Sequence, residues 1–155
     1  MVRLVRPDSP EGWSLARRLV EEYAASLDLD LGFQDFPHEI AVLPREYGPP
    51  DGAFLLAERD GELVGCVGLR KLAPDACEMK RLYVVPRSQG EGIGRLLAEA
   101  IVAEARRLGY ERMLLDTLPS MKAARRLYAA LGFAPVAAYR HNPVPGAVFM
   151  ELKLC

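Results

Sequence analysis

Hydrophobic and polar positions follow two different periods along this chain, which predicts a mixture of strands and helices. Segments with apolar residues at every second position, or in short unbroken runs, are typical of strands. The predicted strands are residues 2–6, 53–59, 62–71, 77–85, 111–117, 134–141 and 146–154. Asp60 and Gly61 predict a tight hairpin between the second and third strands. The last two strands should pair antiparallel around the turn at residues 143–146.

Three other segments carry apolar residues at three- and four-residue steps, as on one face of a helix. The first helix should begin near Ser9, which has N-cap chemistry, and bury apolar residues from Trp13 to Leu27. The other two helices are predicted at residues 92–108 and 120–131, the latter with Ser120 as N-cap. Residues 28–50 are less regular. Phe33, Phe36, Ile40 and Leu43 indicate a short helix there, while Pro44, Gly48, Pro49 and Pro50 favour a loop.

Size and charge restrict the class of protein. The chain has 155 residues, half of them hydrophobic, and shows no linker or repeat, so we expect a single domain over residues 1–155. The net charge of −1 gives no field that would attract nucleic acid or an anionic membrane. No apolar run approaches the length of a membrane span, and the N-terminal segment is too short for a signal peptide. We therefore expect a soluble cytoplasmic protein.

The cysteines and histidines give no sign of a metal site. Cys66 and Cys77 lie in predicted strands, where they should be small buried hydrophobic residues, and Cys155 is not spaced to pair with either as a ligand motif. His38 and His141 are far apart in sequence. No metal is therefore predicted.

A glycine-rich segment at residues 89–96 (Gln-Gly-Glu-Gly-Ile-Gly-Arg-Leu) follows a predicted strand and opens a predicted helix. The first amides of a helix lack partners within the helix, and its dipole adds positive potential there, so an anion is stabilised where glycine lets it approach. Ile93, Leu96, Leu97 and Ile101 recur on one face and support the helix itself. The segment predicts a site for the diphosphate of a nucleotide-like cofactor.

Spacing separates three kinds of glycine loop. The dinucleotide pattern G-x-G-x-x-G requires glycine where this chain has Arg95 or, in the other register, a leucine. The triphosphate loop ends in G-K-[ST], and no lysine lies between Lys80 and Lys122. The pattern [QR]-x-x-G-x-[GA] remains, starting at Arg87 or at Gln89. We prefer the register from Gln89 because it places the last glycine at the helix entry.

This loop and its two neighbouring segments resemble the GCN5-related N-acetyltransferases (GNAT superfamily), which bind the diphosphate of acetyl-CoA on such a loop. The likeness covers residues 78–84 (Glu-Met-Lys-Arg-Leu-Tyr-Val) and residues 124–133, which are similar to the family's A-x-x-L-Y-x-x-x-G-F ending. It implies an α+β fold with a central mixed, mostly antiparallel sheet of six or seven strands and three or four helices. It also implies an acetyl-CoA-dependent N-acetyltransferase in which a small-molecule primary amine attacks directly in a ternary complex, and dimers are common among relatives.

The resemblance implies roles for individual residues. Tyr128, five residues before Phe133, would protonate the cofactor sulfur, and its alternative is a half-buried tyrosine packing on Leu131. Leu82 and Val84 would contact pantetheine through backbone groups. The residues expected to bind the cofactor are Leu82, Val84, Gln89, Gly90, Glu91, Gly92, Ile93, Gly94, Arg95 and Tyr128.

Glu78 is the candidate general base. Its spacing of six residues to Val84 and eleven to Gln89 resembles that of the glutamate-dependent members of the family. An ordinary glutamate pKa of about 4.3 is far below that of an alkylammonium, so the site would have to raise it or act through water. The alternatives are a structural pair with Arg81 or Lys80, or a contact to the ammonium of the acceptor.

Other features leave the function open in part. Met121 stands where many relatives carry a cofactor-contacting asparagine, which Ser120 or Thr117 could replace. An arginine among the acceptor-side candidates could hold a substrate carboxylate, and the alternative for each candidate is a surface or structural role. Those candidates are Arg70, Lys80, Tyr139, His141 and Asn142. The alternatives to a small-molecule acetyltransferase are a non-catalytic acyl-CoA-binding module, a structural protein of the same fold, and an acyltransferase acting on a protein N-terminus or lysine.

Overall fold

A computed structural model describes residues 1–27 and 36–155 and places seven strands in one sheet of order β1-β2-β3-β4-β5-β7-β6. The strands are β1 (Val2–Val5), β2 (Ala53–Arg59), β3 (Glu62–Ala73), β4 (Ala76–Val84), β5 (Arg112–Thr117), β6 (Ala134–Val136) and β7 (Val148–Lys153). The helices are α1 (Pro10–Ser26), α2 (Phe36–Ala41), α3 (Leu43–Tyr47), α4 (Ile93–Arg107) and α5 (Lys122–Ala130). Every neighbouring pair is antiparallel except β4 and β5, which confirms the predicted mixed, mostly antiparallel sheet.

Local chemistry explains the first helix and the first hairpin. Ser9 caps α1 by accepting a hydrogen bond from the backbone N–H of Gly12 at 3.1 Å. Asp60 and Gly61 have φ of 54° and 81°, the pair of positive values that a two-residue hairpin turn needs. Both sequence predictions are therefore confirmed.

Helices cover both faces of the sheet. Tyr83 packs edge to face against Tyr23 of α1, with ring centroids 5.7 Å apart. Its neighbour Val84 points to the other face, where it lies 3.7 Å from the position that a Cβ on Gly94 of α4 would take. On α4, Ile93 is buried with Leu97 and Ile101, whereas Leu96, which the apolar pattern placed with them, is exposed.

The parallel pair β4 and β5 separates along its length. Ala76, Cys77 and Glu78 pair with Arg112, Met113 and Leu114, and beyond Glu78 the described residues of the two strands form no further register pairs. The sheet therefore opens into a wedge-shaped gap between the second half of β4 and the end of β5. Its wide end faces the turn that leads into α4.

A β-bulge lies in β4 beside this gap. Tyr83 pairs with Cys66 and Lys80 with Gly68, so two residues of β4 stand opposite Val67 alone. Arg81 in the bulge has a φ of 60°, a left-handed value that is costly for a side chain of this size. Such a bulge frees a backbone amide from the ladder at the edge of the gap.

Two predicted element boundaries need correction. The strand predicted at residues 134–141 ends at Val136, because Tyr139 and Arg140 leave the sheet to bond to Glu78. Ser120 is not the N-cap of α5, since the Met121 N–H closes a turn onto the Leu118 carbonyl and Met121 is the cap, without a side-chain bond.

The short helix predicted between residues 33 and 43 is two short helices, α2 and α3, with Pro44 in the first turn of the second. Phe33, which belonged to that prediction, lies outside the described residues. None of the helices in the described residues is long and apolar enough to cross a membrane.

Candidate active site

The turn before α4 is open to an incoming anion. Gly92 is the N-cap of α4, with a φ of 82° and no side-chain hydrogen bond to the first helical amides in the described part of the chain. A Cβ added at Gly90 or at Gly92 would meet no atom within 4 Å. The first amides of a 15-residue helix are thus left unscreened, and this geometry fits a diphosphate.

Polar contacts fix the shape of this turn. Gln89 donates from its side-chain amide to the backbone carbonyl of Val84 at 2.9 Å. Arg59 binds Glu91 at 2.8 Å and the Ser88 hydroxyl at 2.8 Å. Gln89 and Glu91, both predicted to contact the cofactor, therefore also hold the loop against β4 and β2.

The gap between β4 and β5 contains a small cavity of about 60 Å³. Tyr128 of α5 lines it together with Leu82 of β4. The cavity is lined by Tyr23, Met79, Lys80, Arg81, Leu82, Leu115, Asp116, Thr117, Met121, Ala124 and Tyr128. The structure thus brings Tyr128 to the same gap as the bulged strand. Burial raises the pKa of Tyr128, with smaller effects from Tyr23 and Asp116, so its phenol keeps its proton at neutral pH.

Glu78 lies at the narrow end of the gap, in the last pair that joins β4 to β5. It is fully buried, at 0% exposure, and three side chains bond to it. Arg70 Nε donates to Oε1 at 3.0 Å, the Tyr139 hydroxyl donates to Oε2 at 2.6 Å, and Arg140 Nη2 also contacts Oε2. We call Arg70, Glu78, Lys80, Tyr139 and Arg140 the Glu78 cluster.

Electrostatics within this cluster favour the ionised carboxylate. Burial by itself would raise the pKa of Glu78, but the charges of Lys80, Arg140 and Arg70 and the hydrogen bond from Tyr139 outweigh it and lower the pKa. The same burial lowers the pKa of the Lys80 ammonium to about 8, against the opposing attraction of Glu78. Glu78 is thus an anion at neutral pH, and Lys80 is close to titrating.

Arg81 and Glu39 form a second buried ion pair next to the cluster. Arg81 Nε and Nη2 donate to the two carboxylate oxygens of Glu39 at 2.7 and 3.0 Å, and both side chains are buried. The guanidinium also lies over the Phe36 ring, 5.3 Å from its centroid. The pair joins α2 to the bulge in β4.

The structure separates the acceptor-side candidates. Arg70, Lys80 and Tyr139 meet at Glu78, whereas His141 is exposed. Asn142 donates to Asp116 Oδ2 at 3.1 Å and accepts from the Val144 amide at 3.0 Å. Glu78 pairs with Arg70 and Arg140, and its expected alternative partner Arg81 pairs with Glu39 instead.

Two residues at the gap were not identified from the sequence. Arg140 lies in a segment that was predicted to be a strand, and Asp116 is the next-to-last residue of β5, without any motif around it. Residues 139–142 (Tyr-Arg-His-Asn) are all polar or amphipathic and follow a stretch of small residues. This composition is the feature of the sequence that indicates that the segment leaves the sheet.

The three cysteines are free thiols. Cys66 and Cys77 are buried, as predicted, and burial raises the pKa of the Cys77 thiol to about 12. In the ranges 1–27 and 36–155, His, Cys, Asp and Glu side chains do not gather in any group of three or more that could hold a metal ion.

Comparison with known proteins gives the family. Residues 14–133 match the family described as "Acetyltransferase (GNAT) family". An uncharacterised N-acetyltransferase of Schizosaccharomyces pombe is 43% identical over 140 residues, covering 89% of this chain and 86% of that protein. An uncharacterised N-acetyltransferase of Escherichia coli K12 is 32% identical over 136 residues, covering 86% and 80%.

A solved structure shares the fold. The acetyltransferase yncA of Salmonella typhimurium, determined with its cofactor acetyl-CoA, superposes with a TM-score of 0.71 at 20% identity, over 99% of this chain and 94% of that one. The family match, the two relatives and the shared fold agree with the open helix turn and the separated strands described above. This chain belongs to the GNAT family of acetyltransferases, whose cofactor is acetyl-CoA.

Proposed function

We propose that this protein is an N-acetyltransferase that transfers the acetyl group of acetyl-CoA to the primary amine of a small molecule, by direct attack in a ternary complex. The observation that carries the proposal is the open turn at Gly92 at the end of the strand whose other half borders a gap lined by Tyr128. The strand β4 thus leads from a buried phenol towards a turn that suits a diphosphate.

The chain's own backbone would hold the cofactor. The amides of residues 90–94 would bind the diphosphate. The N–H and C=O groups of Leu82 and the N–H of Val84, which β5 leaves unpaired, would bind pantetheine, while the Val84 carbonyl accepts from the Gln89 side chain. Acetyl-CoA supplies an activated thioester when it is bound. The amide freed by the bulge at Arg81 is suited to bind the carbonyl oxygen of the acetyl group as negative charge develops on it.

Tyr128 would act on the leaving sulfur. As the amine nitrogen forms its bond to the acetyl carbon, the carbon–sulfur bond breaks and the electron pair stays on sulfur. The Tyr128 hydroxyl, still protonated at neutral pH, would then donate its hydrogen bond or proton to that sulfur. The amine must lose one proton in the same reaction.

Glu78 is predicted to accept that proton, because its spacing to the glycine turn resembles that of the glutamate-dependent members of the family. This role stays a prediction. Its lowered pKa makes Glu78 a weak proton acceptor while Arg70 and Arg140 remain bound to it. The contacts support a second role, in which Glu78 positions the two guanidiniums at the narrow end of the gap. A positioning role and a base role affect KM and kcat differently.

A panel of primary amines tests the proposal. Release of free CoA thiol and formation of the acetylated amine are measured together, so that hydrolysis of the cofactor is not counted as transfer. The proposal expects stoichiometric thiol and product with at least one class of small amine. Calorimetric binding of acetyl-CoA with no turnover on small amines, on a peptide N-terminus or on lysine would favour the non-catalytic module. Turnover confined to peptides would favour a protein acetyltransferase.

A further inference from the structure

We propose that the acceptor is a small amino acid, and that Arg70 and Arg140 bind its carboxylate while its amine faces Tyr128. This inference rests on the proposed function and adds the class of acceptor to it.

Glu78 holds the two arginines side by side. Arg70 binds one of its carboxylate oxygens and Arg140 binds the other, so both guanidiniums are fixed around one anchor. The Arg140 guanidinium also lies over the Tyr139 ring, 5.1 Å from the centroid, which restrains it further. Glu78 is 0% exposed, whereas the side chains of Arg70 and Arg140 are each 20% exposed. The arginines therefore reach outward from a buried carboxylate.

Both guanidiniums keep donors that the described residues do not use. Each guanidinium carries five N–H bonds in a planar fork that matches a carboxylate. Arg140 Nε is buried and has no hydrogen-bond partner among the described residues. Arg70 Nη1 lies 3.9 Å from Glu46, which is beyond hydrogen-bond length. An additional carboxylate could bind both arginines without displacing Glu78.

Among the described residues, Glu78 is the carboxylate that bonds to both arginines of the cluster. The neighbouring Arg81 is matched by Glu39. Glu46 lies partly exposed 3.9 Å from Arg70, and Asp116 accepts a hydrogen bond from Asn142. Arg70 and Arg140 therefore share one closely bonded carboxylate, and a ligand carboxylate would add a second.

The position of the cluster relative to Tyr128 suits a short amino acid. The cluster occupies the narrow end of the gap, and the cavity lined by Tyr128 and Asp116 continues from it. Asp116 lines this cavity together with Tyr128 and Lys80, and Lys80 belongs to the Glu78 cluster. A small amino acid could therefore place its carboxylate on Arg70 and Arg140 and its ammonium group beside Asp116.

Matched acceptors test this assignment. Rates are compared for amino acids, for the corresponding amino acid amides, and for the amines that lack the carboxyl group altogether. The proposal expects kcat/KM to be about 100-fold or more higher for the acids, because a site built for a carboxylate is left with unpaired donors by the others. Equal rates across the three classes would overturn the carboxylate assignment and leave the acetyltransferase proposal standing.

Variants separate binding from folding. Arg140→Gln should raise KM for the amino acid by about 10-fold or more relative to its effect on KM for a carboxyl-free amine, with acetyl-CoA affinity little changed. Arg3→Gln removes an exposed arginine of β1 paired with Glu58 and is the control, since it should change none of these constants. An equal loss for both kinds of acceptor would mean that Arg140 acts through the structure, and the assignment would fail.

A binding measurement covers the case of no turnover. Calorimetry with CoA-loaded protein compares an N-acetyl amino acid with its amide. Preferential binding of the acid that is lost in Arg140→Gln would support the carboxylate site, whether or not an amine is acetylated. If no amine is acetylated in that case, the acetyltransferase proposal is overturned and the carboxylate site is not. Binding of neither compound, together with no turnover, would overturn both.

Discussion

Glu39 on α2 accepts two hydrogen bonds from Arg81, the residue of β4 whose backbone has a φ of 60°. The pair ties a short helix to the bulge that borders the gap between β4 and β5. Because both side chains are buried, each charge depends on the other for compensation. The bulge and the position of α2 are therefore coupled.

Glu39→Gln should destabilise the protein strongly. Removing the carboxylate leaves the Arg81 guanidinium buried without its counter-charge, a loss of about 3–5 kcal/mol in the free energy of unfolding. Glu58→Gln is the matched control, because Glu58 pairs with the exposed Arg3 and should cost below about 1 kcal/mol. Urea unfolding at neutral pH measures both. Similar costs for the two variants would mean that the buried pair does not stabilise this region.

Glu104 of α4 should contribute to stability in a pH-dependent way. Hydrogen bonds from Arg107, followed by those from Arg6, lower its pKa from 4.5 to about 2. A lowered folded-state pKa gives stability that is present above the unfolded-state value and is lost as the pH falls from about 4.5 towards about 2. Both arginines are more than half exposed, so screening should reduce the contribution at neutral pH to roughly 1 kcal/mol.

The test compares wild type with Glu104→Gln by urea unfolding at pH 7 and pH 3. The difference between the two proteins should be present at pH 7 and should shrink at pH 3. A difference that is independent of pH would show that packing rather than charge accounts for the effect of the substitution.

Tyr128→Phe should slow turnover with little effect on cofactor affinity. The change removes the hydroxyl and keeps the ring that packs on Phe133, with centroids 5.7 Å apart. Loss of a proton donor lowers kcat by about 100-fold, while the Kd for acetyl-CoA should change by less than about threefold. Tyr110→Phe is the control, because the Tyr110 hydroxyl bonds to the Asp51 carbonyl outside the gap. An unchanged kcat in Tyr128→Phe would remove the proposed proton donor.

Glu78→Gln separates the two roles proposed for Glu78. If Glu78 positions Arg70 and Arg140, the loss of its charge should raise KM for the acceptor about 10-fold or more and reduce kcat less. Steady-state kinetics at saturating acetyl-CoA gives both constants. A fall of about 100-fold in kcat with KM unchanged would instead identify Glu78 as the general base.

Local patterns predicted most of the fold. The capping serine before α1, the Asp60-Gly61 turn and the apolar face of α4 depend on neighbouring residues, and the sequence displays such short-range relationships directly. The glycine turn was visible for the same reason. Its chemistry comes from consecutive backbone amides rather than from distant side chains.

The acceptor side could not be predicted to the same depth. Arg140 reaches Glu78 across 62 residues, and Glu39 reaches Arg81 across 42 residues, so neither pair has a sequence signature. The prediction of a strand through residue 141 was wrong beyond Val136. The bonds of Tyr139 and Arg140 to Glu78 outweigh the strand propensity of Tyr139. Spacing identified Glu78 as a notable residue, but its partners set its pKa, and only the fold brings them together.

Calorimetric titration with acetyl-CoA tests the central claim that the amides at the start of α4 bind the cofactor's diphosphate. Gly92→Val places a branched side chain at that turn, and Gly109→Val is the matched control, because Gly109 has a similar φ of 88° and equally open surroundings at the other end of α4. Both substitutions impose comparable backbone strain. Gly92→Val should weaken acetyl-CoA binding by about 10-fold or more relative to Gly109→Val. Equal affinities in the two variants would contradict it.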